Sequence, residues 1–235
     1  KKHDAVVEKA IALFDGDMQA VTGKNIRQGG NADVEIFQLN MASNKDLRTL
    51  ESLKVPFMKF ITKKDAFWLG IRDGKMIVVG ADGCGTAYGL LELSRMAGVS
   101  PWVWWGDVRP AKRRRLTIDD KFEVTRAPSV ALRGINLEQV RWQSSDYRHL
   151  LELMLRLRAN VLSAGWDGGH MTLPANKTFK VLADSFGIRI AMPHDGNAIR
   201  IHEHKKNINV DITLHDDGYG YLMPTDNALG NGGGM

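Results

Sequence analysis

A single cysteine, Cys84, is too little for an intrachain disulfide or a cysteine-built zinc site, so cysteine usage leaves the cellular compartment open. No apolar run reaches the roughly 20 residues that span a bilayer, and no charged segment followed by an apolar one opens the chain. A membrane partner is therefore not expected, and the protein is either cytoplasmic or lost a secretion signal before residue 1. An excess of one charge is also lacking: 32 basic residues face 27 acidic ones, for a net +5. Only Lys112-Arg113-Arg114-Arg115 gathers cations. Pro110 precedes this run and a strand-like Leu116-Thr117-Ile118 follows it, so it reads as a solvated linker and nucleic acid is not an expected partner. Gly83-Cys84-Gly85 and Gly168-Gly169 do not complete a G-x-G-x-x-G fingerprint, and no nucleotide cofactor is expected.

What is present is enough apolar material for a real core: 43% of 235 residues are hydrophobic, which suits one large domain or two ordinary ones. Val7, Ile11, Phe14, Met18 and Val21 recur at steps of four and three, placing one apolar stripe along a helix that stops near Gly23. Residues 33–39 read as a strand, and Asn44 as the N-cap of a short helix through Leu53. The apolar runs 66–71 and 75–79 flank Arg72-Asp73-Gly74, a hairpin signal because the turn needs positive φ. Thr86 caps or opens a further helix that ends at Gly98. This element order predicts a small α+β domain over residues 1–118.

After Arg126-Ala127-Pro128 the pattern changes. A buried strand over 130–137, a helix over 146–158, a strand over 160–164, a helix over 177–186 and a strand over 188–192 indicate parallel βα units. Apolar residues cover more than one face of the 146–158 helix, so it should pack between layers. Beyond Ile199 only 210–214 is strand-like, and the glycine-rich end reads as loop.

Two groups of residues carry a resemblance. The first is Gly85-Thr86-Ala87-Tyr88-Gly89, followed by Val99-Ser100-Pro101-Trp102-Val103-Trp104-Trp105-Gly106-Asp107-Val108. The second is Arg133-Gly134-Ile135, then Leu155-Arg156-Leu157-Arg158-Ala159-Asn160, then Leu182-Ala183-Asp184-Ser185-Phe186-Gly187-Ile188. In order and spacing these resemble the end of the N-terminal domain and the first barrel units of glycoside hydrolases of family 115, the xylan α-glucuronidase type. The resemblance covers roughly residues 75–195 and implies an α/β fold: a small N-terminal α+β domain followed, over 127–235, by the parallel βα units of an incomplete TIM-like barrel. A closed barrel takes about 250 residues, so it cannot close within this stretch. Asp216-Asp217-Gly218-Tyr219-Gly220-Tyr221 resembles a family segment that lies much further along the barrel.

Implied with the resemblance are hydrolysis of plant polysaccharide, a (methyl)glucuronic acid on xylan as the group removed, and a secreted or periplasmic location. The partner is then a polysaccharide or oligosaccharide, with a homo-oligomer left open. A non-catalytic carbohydrate-binding or structural fragment is the alternative reading. Glycoside hydrolysis ordinarily uses two carboxyl groups flanking the scissile bond, and barrel strands present such groups at their C-terminal ends. Glu138, Asp167 and Asp195 follow three successive predicted strands, and Glu138 and Asp195 are the candidate catalytic pair. Trp166, Asp167, His170, His194 and Arg200 are candidate substrate contacts; His170, His194 or Arg200 could meet a sugar carboxylate.

Asn136-Leu137-Glu138 stands where members of the family usually have Asn-Asp-Glu, and Leu137 supplies neither charge nor hydrogen bond. Pro193-His194-Asp195 likewise stands for a His-His-Glu segment. His202-Glu203-His204 lacks the i, i+4 spacing of two ligands on one helical face, so no metal is assigned. Trp102, Trp104 and Trp105 beside Pro101 read first as aromatics fixing a domain junction by burial, and second as sugar-stacking rings.

Overall fold

The computed structural model describes residues 3–29, 32–137, 144–164, 177–193 and 210–213. The apolar stripe of the opening segment forms α1 (Ala5–Thr22), which stops at Gly23. Strand β1 (Val34–Gln38) leads through a 3-10 turn to α2 (Asn44–Ser52). The cap of α2 is Ser43, not Asn44: its hydroxyl accepts from the Asp46 N–H while the Asp46 carboxylate takes the Ser43 N–H, a reciprocal pair that satisfies donors at both positions. Strands β2 (Phe67–Arg72) and β3 (Lys75–Gly80) form the expected hairpin, with Asp73 at φ 52° and Gly74 at φ 73°. Both central residues of this turn are left-handed, which matches its twist to that of the strands. Helix α3 (Gly83–Met96) is capped by Asp82, not Thr86; Asp82 accepts from the Gly85 N–H at 2.8 Å, and Thr86 lies within the first turn.

These strands form a sheet in the order β1-β3-β2-β4, with β1 parallel to β3 and the other pairs antiparallel. Strand β4 (Glu123–Arg126) has one apolar residue, Val124, which left little pattern to detect in an edge strand that faces solvent on one side. Leu116-Thr117-Ile118 forms no strand, and Leu116 and Ile118 are exposed. Alternation in β2 and β3 sorts the side chains onto two faces. Phe67, Leu69, Met76 and Val78 pack with α1 and α3, whereas Trp68, Ile77 and Val79 pack with Leu50, Phe57 and Phe60 around α2.

The second sheet has the order β5-β6-β7-β8, parallel throughout. Its elements are β5 (Gly134–Leu137), α4 (Ser144–Arg156), β6 (Val161–Ala164), α5 (Lys177–Ser185), β7 (Arg189–Pro193) and β8 (Val210–Thr213). The strand expected over 130–137 begins only at Gly134. Val130, Leu132 and Ile135 are exposed, because β5 has no neighbour on its far side among the described residues and Arg133 holds the carbonyls of Val130 and Ala131. Helix α4 packs between layers as expected, with Leu150, Leu151, Leu153, Met154 and Leu155 all buried. One hydrophobic cluster runs from the first sheet through α1 and α3 to α4, α5, Leu162 and Ile190. Among the described residues no helix is long and apolar enough to cross a membrane.

Replacing Gly74 with Val should destabilise the protein by about 1 kcal/mol or more, because a β-branched residue does not tolerate positive φ. Chemical denaturation of the variant reads this directly; an unchanged midpoint would count against the turn geometry.

Candidate functional site

The parallel register sets Leu137 opposite Ala164, Ser163 opposite Ala191, and Pro193 opposite Thr213. Four adjacent strands therefore end along one edge, which is where ligands bind in parallel α/β architectures. In sequence, Glu138 directly follows β5; Trp166, Asp167 and His170 follow β6; His194, Asp195 and Arg200 follow β7. All seven of these candidates lie outside the described residues. Asp216–Tyr221, His202-Glu203-His204 and the glycine-rich end lie outside them as well. Among the described residues no group of three or more His, Cys, Asp or Glu is placed to hold a metal ion.

The opposite edge, where β5, β6 and β7 begin, carries a polar network that sequence reading did not single out. The Asp65 carboxylate accepts from Arg133 Nη2 at 2.7 Å and from Asn160 Nδ2 at 3.0 Å. Asn160 Oδ1 accepts from the Arg133 N–H at 2.9 Å, and Arg133 Nε donates to the Arg158 carbonyl at 2.8 Å. The Asn160 backbone bonds to Arg133 on one side, and its carbonyl accepts from Arg189 on the other. Burial alone would lower the Arg133 pKa, but the hydrogen bond and charge of Asp65 outweigh it and hold it above its ordinary value. A Cβ on Gly134 would come within 1.8 Å of the Val161 carbonyl oxygen, so only glycine lets β5 approach β6 this closely. Tyr88 of α3 joins the same region by donating its hydroxyl to the Ala159 carbonyl at 3.2 Å, and burial raises its pKa.

Two further clusters tie the helices together. Arg156, nearly fully buried, donates in a fork to Asp17 of α1 at 2.8 and 2.9 Å and to Glu152 at 2.9 Å. Burial would lower its pKa, yet hydrogen bonding and charge from Asp17 and Glu152 raise it. Glu152 also accepts from the Trp104 indole at 2.9 Å, and Trp104 stacks on His149 at 4.3 Å. Trp104 thus sits at the junction of the two halves, but not as a buried wedge. Trp102, Trp104 and Trp105 are 50%, 54% and 42% exposed, so fixing the junction by aromatic burial is not what they do.

Glu92 of α3 accepts from Arg95 at 2.9 Å and from Arg158 at 2.7 Å. Arg158 adopts φ 62° to end α4 and lies over the Phe67 ring. Cys84 is a packing residue, its thiol pushed up to about 12 by burial and by the nearby Asp65 and Asp82 carboxylates.

Comparison with solved structures places this architecture among glycoside hydrolases. No family model and no curated protein sequence matches the chain. A GH115 4-O-methyl-α-glucuronidase with specificity for decorated arabinogalactans superposes over 94% of this chain with a TM-score of 0.76 at 23% identity. A GH138 enzyme targeting pectin rhamnogalacturonan II matches over 82% with a TM-score of 0.53 at 16% identity, covering 24% of that protein. A Flavobacterium johnsoniae chitobiase matches over 83% with a TM-score of 0.50 at 16% identity, covering 30% of that protein. The chain therefore has a mixed α/β fold shared with glycoside hydrolases. Its resemblance to the GH115 type, read from motifs, extends to the backbone, and it spans 35% of the length of that GH115 structure.

Burial would raise the Glu92 carboxyl, but hydrogen bonds and charges from Arg95 and Arg158 prevail and hold it below its ordinary value of 4.5. A carboxyl depressed in the folded state contributes stability that is present above pH 4.5 and is lost as pH falls through the folded pKa. Glu92→Gln should therefore be less stable than wild type near neutral pH, with the gap closing on acidification below pH 4.5. Melting temperatures of both proteins across that range check this; a gap independent of pH would contradict it.

Proposed function

We propose that the chain is the opening part of a glycoside hydrolase that removes (methyl)glucuronic acid from a plant polysaccharide such as xylan. In this reading the unit over 1–118 precedes a partial (β/α) barrel over 127–235, and the second sheet supplies the barrel's first strands. The observation that carries it is the run of four parallel strands ending on one edge, with acids, imidazoles and an indole following three of those ends in sequence. The substrate class is supported by the GH115 enzyme on which the chain superposes, a 4-O-methyl-α-glucuronidase with specificity for decorated arabinogalactans.

In the proposed site Glu138 and Asp195 are the carboxyl pair: one protonates the leaving glycosidic oxygen while the other activates water or attacks carbon. Trp166 stacks on a pyranose face, Asp167 accepts from hydroxyls, and His170, His194 and Arg200 receive the uronate carboxylate. A non-catalytic portion is the second reading. One observation favours it: Leu137 stands where an acid is usual in the family that the chain resembles.

Calorimetric titration of the 235-residue chain with short glucuronic-acid-bearing xylo-oligosaccharides tests the site. Trp166→Ala and His194→Ala should each weaken binding about tenfold, a loss of about 1.4 kcal/mol. Binding that survives both substitutions places the site elsewhere. Release of glucuronic acid supports the hydrolase, whereas binding without release supports the non-catalytic portion.

A further inference from the structure

The segment that joins the two halves carries two unusual exposed stretches a few residues apart in sequence. Residues 100–106 fold as consecutive turns, with the Trp105 and Gly106 N–H groups both donating to the Trp102 carbonyl, at 3.0 and 2.8 Å. This hydrogen bonding fixes the backbone that carries three half-exposed indoles. Trp104 is also fixed in plane, since one ring face lies on His149 and its N–H is held by Glu152, itself nearly buried and locked to Arg156. A few residues on, the whole of 111–120 is exposed, including Lys112, Arg114 and Arg115. This basic stretch is anchored where the Arg113 N–H donates to the Val21 carbonyl of α1 at 2.8 Å. Val21 lies one helical turn beyond Asp17, which holds Arg156 and through it Glu152 and Trp104. Aromatic and basic groups are thus tied to the same end of α1.

We infer that Trp102, Trp104, Trp105, Lys112, Arg114 and Arg115 form a second, non-catalytic surface that holds an acidic polysaccharide. Rigid indoles with exposed faces suit the apolar faces of pyranose rings, and the cations suit carboxylates spaced along the same polymer. Three half-exposed indoles offer roughly 300–400 Å². That is well short of the about 800 Å² per partner that a stable protein interface needs, but it is enough for one or two sugar rings. Single-stranded nucleic acid also combines stacking with cations. Here Asp107, Asp119 and Asp120 stand in the same segment and the net charge is only +5. Those acids oppose a charge on every nucleotide more than widely spaced uronates. The choice of a uronate-bearing polymer rests on the carbohydrate reading above. The two sites fail separately, because this surface shares no residue with the strand-end set.

The test is affinity electrophoresis of the 235-residue chain through gels containing glucuronoxylan, the same polymer with its carboxyls reduced, or no polymer. A single-stranded DNA oligonucleotide is titrated in parallel. Wild type should be retarded by glucuronoxylan, several-fold less by the reduced polymer, and less again as salt rises. Trp102→Ala with Trp105→Ala, and separately Arg114→Gln with Arg115→Gln, should each weaken retardation about tenfold. Both pairs should have the same effect when introduced together with Trp166→Ala, which removes a contact of the strand-end site and so leaves the surface described here to be read alone. The arginine pair lies on an exposed linker, so its variant keeps the test valid if the tryptophan variant fails to fold. Equal retardation by native and reduced polymer, retardation unaffected by the arginine pair, or tighter binding to DNA than to glucuronoxylan would each overturn the inference.

Discussion

Asp65 is almost wholly buried in a left-handed backbone conformation, and among the described residues Arg133 and Asn160 meet its carboxylate from the second half of the chain. A buried carboxylate without such partners would cost several kcal/mol, so the two halves cannot slide or rotate past one another without exposing or orphaning that charge. Asn160 is the hinge of the arrangement. Its side chain bonds Asp65 and the backbone ahead of β5, while its own backbone bonds the starts of β5 and β7. One residue thereby fixes both the docking of the first unit and the stagger of three strands.

The consequence for function is directional. The three ion-pair clusters, each built on a buried carboxylate, lie where the parallel strands begin or where α4 meets α1 and α3, so the cost of satisfying them is met at the floor and flank of the second sheet. The strands end at the other edge, at Leu137, Ala164, Pro193 and Thr213. In parallel α/β architecture the starting edge serves stability and the finishing edge chemistry. Here the starting edge is the one that Asp65 of the first unit meets through Arg133 and Asn160.

The sequence was most legible where one physical rule governs a segment. Helices α1 and α4 carried unmistakable apolar spacing, and Asp73-Gly74 announced its turn because few residue pairs take positive φ together. The helix starts were displaced by a residue or more because a carboxylate or hydroxyl just upstream, Asp82 or Ser43, competed better for the free N–H groups than the residues expected. Strand β4 escaped notice because an edge strand needs only one inward apolar residue. Val130 and Leu132 misled because apolar composition cannot show which strands lie beside β5, and among the described residues none lies on its far side. The ion-pair clusters were illegible for a different reason: Asp17 and Arg156 are 139 positions apart, and nothing local in either marks the partner.

Among the residues that carry the family resemblance, Arg133, Gly134, Arg156, Arg158 and Asn160 have structural duties here: two bury or half-bury guanidinium groups, one permits close strand approach, one ends a helix in the left-handed region, and one laces three strands. Each of these duties lies within the fold itself. These motif residues thus hold the first unit to the parallel sheet. Most other positions need only suitable size and polarity, so a backbone of this kind can be kept while most of its sequence changes. Likeness at the floor of the sheet is therefore a strong guide to architecture and a weak one to chemistry. In the proposed reading the chemistry rests on Glu138, Asp195 and their neighbours, which follow the strand ends in sequence, and Leu137 there departs from the acidic pattern of the family that the chain resembles.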